Sequence, residues 1–258
     1  MGFGDIFSKS WGEYKNKFWV FTQIFLLFGF LPSIILFLAN KSYLENFNNL
    51  IVSAIQNNSG VFNSIISYIF VDNLSYTLFL AFLGILVFAL GILMGASFIV
   101  NAFSGKKLGF KESLKGGKKY FWKYFWFSVV YSIFIILLFL LLVVPGIIFM
   151  IYWIFGAYIL INENKGILAS LKESRKLIKG KWWKTFGYFI LFSLIIIVIS
   201  WIASLIGFGL EKTFLWILGK PLCFEGFTNS IFVQLASVVI APLSVLFFKN
   251  FYLSMKKR

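Results

Sequence analysis

Apolar runs free of charge and long enough to cross a bilayer recur along the chain. A hydrocarbon core of about 30 Å takes roughly 20 apolar residues of helix, and a charge at its centre costs about 2.5–3.5 kcal/mol on insertion scales. Six stretches read as spans: Phe18–Leu38, Tyr76–Phe103, Phe125–Val144, Gly146–Ile161, Phe186–Leu210 and Ile231–Phe248. The third and fourth share one apolar stretch from Phe125 to Asn162, too long for a single span. Proline lacks an N–H and clashes with the preceding turn, while glycine permits reversal. Pro145 and Gly146 are therefore expected to form a tight helix-hairpin turn rather than a kink in one long helix. The expected fold class is all-α: a polytopic transmembrane helical bundle of six spans in three hairpins.

Composition agrees with that pattern and narrows the chemistry. The 258 residues are 60% hydrophobic and 13% charged, where a soluble globular chain is about 45–50% apolar and about 25% charged. So much Phe, Leu and Ile would leave large apolar patches on a soluble fold. There is no His and a single cysteine, Cys223. Disulfide frameworks, His/Cys metal clusters and imidazole relays are thereby excluded. No metal and no cofactor is expected.

Charge sets the threading. Residues 1–17, 104–124, 162–185 and 249–258 hold 21 of the 24 basic residues and five acidic ones; the alternate segments hold three basic and four acidic. Lys/Arg excess marks cytoplasmic loops. The chain reads as a multi-pass protein of the cytoplasmic membrane with both termini cytoplasmic. The first span does not read as a cleaved signal: its apolar run is long, Asp5 and Glu13 precede it, and no A-x-A-like site follows Leu38. Position 6 is Ile, so the myristoylation pattern fails as well.

Lys/Trp/aromatic clusters precede the first, third and fifth spans: Trp11 to Trp19, Lys118 to Trp126, and Lys179 to Phe186. Trp and Tyr place an apolar body and a polar tip at an interface, and Lys snorkels towards headgroups. Trp11, Trp19, Trp122, Trp126, Trp182 and Trp183 are the expected interfacial anchors. Each cluster ends a stretch with helical apolar spacing, Phe3, Phe7, Trp11 and Tyr14 in the first and Ile167, Leu168, Leu171 and Ile178 in the last. A cytoplasmic in-plane amphipathic helix is thus expected before each hairpin. Three parallel repeats (1–103, 104–161 and 162–258) would account for the recurrence; so would a pattern common to all cytoplasmic helix starts.

Gly84, Gly91 and Gly95 share one face of the second span. Small residues so spaced serve close packing within the chain or self-association. In the outer segment, Leu44, Phe47, Ile51 and Ile55 suggest a surface helix, and Val61–Val71 reads as interfacial or re-entrant. N-x-S triplets stand at Asn40, Asn57 and Asn73, more readily by chance than as modification sites.

From Val143 onward the residues carry a resemblance. Val144-Pro145-Gly146-Ile147-Ile148-Phe149 is followed by Glu163, by Gly166, by the run from Ala169 to Gly180 containing Ser174, and by Trp182-Trp183-Lys184-Thr185-Phe186. This resembles the membrane domain attached to some bacterial glycerophosphoryl diester phosphodiesterases and the related six-helix membrane proteins. The likeness covers about Val143 to Phe192 and implies location and fold; it carries no catalytic residues. A phosphodiesterase barrel needs about 250 residues of its own, and every stretch here is taken by spans and loops. No phosphodiesterase activity is expected.

The inner lysines and arginine are the remaining candidates. Lys106, Lys107, Lys118, Lys119 and Lys123, with Arg175, Lys179, Lys181 and Lys184, sit within a few residues of helix ends. Anionic lipid headgroups of the inner leaflet attract such groups at about 1 kcal/mol each; alternatively they serve orientation alone. Nucleic acid is a poorer match for the net charge of +15. Glu163 reads either as a solvated helix end or as a partner of Arg175 or Lys165. No Asp, Glu, Lys or Arg lies mid-span, where ion-coupled pumps place them. The sequence thus points to a non-enzymatic, lipid-interacting scaffold or accessory module, or else to a small-solute or lipid transporter without proton coupling.

Overall fold

The computed structural model describes residues 2–56, 60–105, 108–219 and 227–256. Lys106, Lys107, Asn57 and Cys223 lie outside the described residues, as does the side chain of Leu44. All regular structure among the described residues is helical. The helices are α1 Phe3–Phe25, α2 Leu31–Gln56, α3 Val61–Ser67, α4 Leu74–Phe103 and α5 Phe110–Leu141. They continue as α6 Val143–Tyr152, α7 Gly156–Asn162, α8 Ile167–Ile178, α9 Trp182–Leu218 and α10 Phe227–Lys256. Six helical stretches are long and apolar enough to cross a membrane: Phe3–Asn40, Leu74–Phe103, Phe110–Leu141, Val143–Asn162, Trp182–Leu218 and Thr228–Lys256. The protein is an all-α, multi-pass membrane protein.

Several boundaries differ from the sequence reading. The reversal between α5 and α6 falls at Leu142, which is extended (φ −162°, ψ 135°), and not at Pro145-Gly146. Pro145 stands in the first turn of α6, where a missing N–H leaves no bond unmade. Gly146 instead lets the hairpin close: a Cβ there would lie 2.8 Å from the Phe139 ring. The fourth segment is interrupted at 153–155, between α6 and α7. A separate amphipathic helix, α8, stands before the fifth span only; α1 and α5 run unbroken from leader into span. The difference lies at Gly180, whose φ of +80° ends α8, whereas the helix meets no such residue at 17–18 or 124–125. Leu168 is exposed, and the buried face of α8 carries Ser170, Leu171, Ser174 and Ile178. The surface helix expected around Phe47 and Ile55 is the continuation of α2.

Residues Met1–Phe25 and Ile92–Arg258 form one compact unit. Its core gathers around the last turns of α10, where Leu246, Phe247, Phe251 and Tyr252 are almost fully buried. Phe192 stacks on Phe247 at 4.3 Å, Phe155 meets Phe251 edge-on at 5.3 Å, and Phe21 meets Phe98 at 5.1 Å. Phe3 touches Phe247 while Glu13 reaches Lys249. Phe3 and Glu13, about 15 Å apart along α1, thus both meet residues 247–249 of α10. Large apolar side chains elsewhere, such as Leu140, Leu141, Trp201 and Trp216, stand exposed, as expected of faces that meet lipid.

Leu26–Gly91 forms the second unit. It opens with a π-helical segment, Leu26–Phe30; Pro32 follows, and its missing N–H accounts for the local rewinding. Val61–Asp72 is a short apolar helix held against α2 by an aromatic cluster. Tyr43 hydrogen-bonds Thr77 at 2.9 Å, the Tyr68 hydroxyl donates to Tyr43 O at 3.2 Å, and Tyr76 donates to Ala39 O.

α4 and α5 approach closely at Gly117, where a Cβ would fall 2.0 Å from Ser97 Oγ. Gly117→Ala is expected to destabilise by about 1–3 kcal/mol, the range for overpacking. At Gly84 a Cβ meets nothing within 4 Å, so Gly84→Ala should stabilise by about 0.5–1 kcal/mol. Thermal unfolding in detergent distinguishes the two.

Candidate functional site

A broken helix in an apolar chain leaves backbone groups to be satisfied by protein. At the 153–155 turn a single hydroxyl does this twice. Ser174 Oγ, fully buried on α8, donates to Tyr152 O at 2.7 Å and accepts from Phe155 N–H at 3.2 Å. The turn closes further with Gly156 N–H to Trp153 O at 2.9 Å. Gly156 is required for close approach, since a Cβ there would meet Phe127 at 2.8 Å and Leu171 at 3.1 Å. Ser174 thus ties α8 to the broken segment.

That tie positions the residues after it. Arg175 does not pair with Glu163; its guanidinium lies over the Phe149 and Tyr152 rings at 5.6 and 5.8 Å, a cation–π arrangement. Gly180 then turns the chain, and the Trp182 indole donates to Ile148 O at 3.3 Å. Trp182 also stacks on Phe186 at 5.1 Å and meets Trp183 edge-on at 4.9 Å. The result is an apolar groove of about 470 Å³ lined by Val144, Ile147, Ile148, Tyr152, Trp182 and Trp183. A second pocket of about 350 Å³, lined by Gly180, Lys181, Trp182, Trp183 and Lys184, shares the same tryptophan pair. An apolar channel and a basic recess therefore meet at Trp182–Trp183, and Trp183 is 78% exposed.

Glu163 closes the corner between α7 and α8. It accepts from Lys165 at 2.7 Å, from Lys256 at 2.8 Å and from the Tyr252 hydroxyl. Partial burial acts to raise its pKa, but these three hydrogen bonds outweigh it and hold the carboxyl at about 2 against an ordinary 4.5. Glu163 is no solvated helix end: it binds the end of α10 to the α7–α8 turn. Lys123 grips the same turn, donating to Asn164 O at 2.9 Å and Asn164 Oδ1 at 2.8 Å. Asn164 adopts φ +53°, a conformation Asn tolerates.

The remaining expected residues are dispersed. Lys118 and Lys119 are exposed on α5, beside the exposed Trp122 and Trp126. Trp11 and Trp19 are exposed on α1, and Lys179 is exposed at the end of α8. Gly95 is closed by Tyr124, 3.0 Å from a would-be Cβ, while Gly84 and Gly91 face open space.

A polar cluster that sequence reading missed lies where α1 crosses α10. Glu13 pairs with Lys249 at 2.5 Å, and Asn250 donates to Ser10 at 3.1 Å. Lys17 donates to Asn101 O and, at 3.1 Å, to Ser104 O, capping the end of α4. The partners are 84 to 240 positions apart, so no local pattern reveals them.

Residues 61–255 match the model of a family described as a domain of unknown function, DUF7847. The match covers most of the chain, which belongs to that family. No curated protein and no solved structure matches it.

Two outcomes test the corner. Ser174→Ala leaves Tyr152 O and Phe155 N–H without their partner and should destabilise by about 1–3 kcal/mol, read as a lowered unfolding midpoint. Glu163 has a depressed folded pKa, so its stabilisation is complete above about pH 4.5 and is lost as pH falls towards 2. Glu163→Gln should flatten that part of the stability profile and lower stability at neutral pH.

Proposed function

We propose that this member of the DUF7847 family is a non-enzymatic membrane protein that holds anionic phospholipid, acting as a scaffold or accessory module of the cytoplasmic membrane. One observation carries the reading: the apolar groove beside α6 and the basic recess at Gly180–Lys184 share the Trp182–Trp183 pair. An acyl chain lies in the groove, and the headgroup phosphate meets Lys181 and Lys184 with Arg175 nearby. Amphipathic tryptophans at the boundary and a 37-residue helix opening at Trp182 add to the attraction for phosphate. The basic end faces the cytoplasm in this reading, in line with the lysine bias of the loops. The likeness of Val143–Phe192 to phosphodiesterase membrane domains belongs to the same proposal, as does self-association through Gly84 and Gly91, where close approach is sterically open.

The broken fourth segment supports a second reading, a transporter without proton coupling, since discontinuous helices line sites in such proteins. The two readings separate in reconstituted vesicles. In the first, Lys181→Gln/Lys184→Gln lowers co-purified anionic phospholipid several-fold, Trp183→Ala lowers all bound phospholipid, and vesicles show no solute flux. Unchanged lipid content in both variants, or flux through the wild-type protein, overturns it.

A further inference from the structure

A second site lies away from the tryptophan groove. Where α1 meets α10, a cavity of about 420 Å³ is bordered by Glu13, Asn16, Lys17, Lys249, Leu253 and residues 102–105. Its volume falls within the range of small-molecule sites, about 300–1,000 Å³. Two ammonium groups face one carboxylate, so the lining carries an excess of positive charge. Lys249 is only 6% exposed, and among the described residues its ammonium donates to Glu13, leaving two of its three donors for a further acceptor. Lys17 spends two donors on the end of α4 and keeps one. The Asn16 amide adds two more.

Glu13 limits what fits. A carboxylate on the wall repels a bare anion but accepts a hydrogen bond from a hydroxyl. The lining therefore suits an oxyanion that carries its own O–H donor: phosphate in its hydrogen-bearing form, or a phosphate with a neighbouring hydroxyl, as in a glycerol phosphate. Sulfate, equal in shape and lacking the donor at neutral pH, fits poorly. We propose that the Glu13–Lys17–Lys249 cavity is a binding site for hydroxyl-bearing phosphate, and that Glu13 selects phosphate over sulfate. The phosphate comes either from solution or from the headgroup of a hydroxyl-bearing phospholipid.

The full-length protein in neutral detergent, titrated with phosphate and with sulfate by calorimetry at constant ionic strength, tests this. Phosphate should bind at least about tenfold more tightly, one hydrogen bond's worth at ~1.4 kcal/mol. Glu13→Gln should collapse that preference chiefly by strengthening sulfate binding. A purely structural ion pair would not produce that effect. Glu13→Gln/Lys249→Gln removes both partners of the pair together and leaves no buried unpaired charge; it should lose phosphate binding while keeping the wild-type helical signal. Lys181→Gln/Lys184→Gln should keep the wild-type preference for phosphate over sulfate, which separates this site from the lipid groove. In nanodiscs, weaker phosphate binding with phosphatidylglycerol than with phosphatidylcholine assigns the headgroup as occupant, and equal binding assigns the soluble ion. Equal affinity for phosphate and sulfate, no heat with either, or an unchanged preference in Glu13→Gln overturns the proposal.

Discussion

In hydrocarbon an unpaired peptide group has no water to turn to, so a helix breaks only where protein supplies the missing partners. The turn at 153–155 meets that condition through one side chain, Ser174, which serves the donor on one side of the break and the acceptor on the other. Everything local follows from that tie. It fixes α8 against α6, which sets Arg175 over two aromatic rings. It fixes the place of the Gly180 turn, and so brings the Trp182 indole to Ile148. The groove and the recess are shaped by the same few residues.

Short-range chemistry was legible in the sequence and long-range chemistry was not. Glu163, Ser174, Gly180 and the tryptophan pair were all marked by the resemblance carried in one run; Ser174, Gly180 and the tryptophans shape the α6–α8–α9 corner, and Glu163 holds the α7–α8 turn to α10. Ser170 and Ser174 also fall on the otherwise apolar face of α8, a signal of buried hydroxyls that apolar spacing alone passes over. Pro145 misled because a proline in the first turn of a helix looks, in sequence, the same as one that breaks it. The chain had already turned at Leu142, which bears no mark of a turn. The partners of Glu163 and Glu13, Lys256 and Lys249, come from the last helix, and no periodicity relates residues so far apart.

The two ion pairs of α10 differ in kind. Lys256 is half exposed, and a pair at such a place contributes about 0–1 kcal/mol; the corner it closes depends more on the convergence of three donors on one carboxylate. Lys249 is nearly buried, with its side chain 7% exposed. Such a pair adds little over apolar packing, yet removing one partner alone is costly. That asymmetry makes the Glu13–Lys249 pair a constraint of arrangement, one that holds α1 across α10 in a single register.

This register has a bearing on biogenesis. Translation delivers Glu13 to the membrane 236 residues before Lys249. Throughout that interval the carboxylate must stay hydrated or be shielded by another cation. The Glu13–Lys249 pair therefore closes only once α10 has been made, and nascent chains arrested before α10 will display an open, acid-bearing α1 to the insertion machinery.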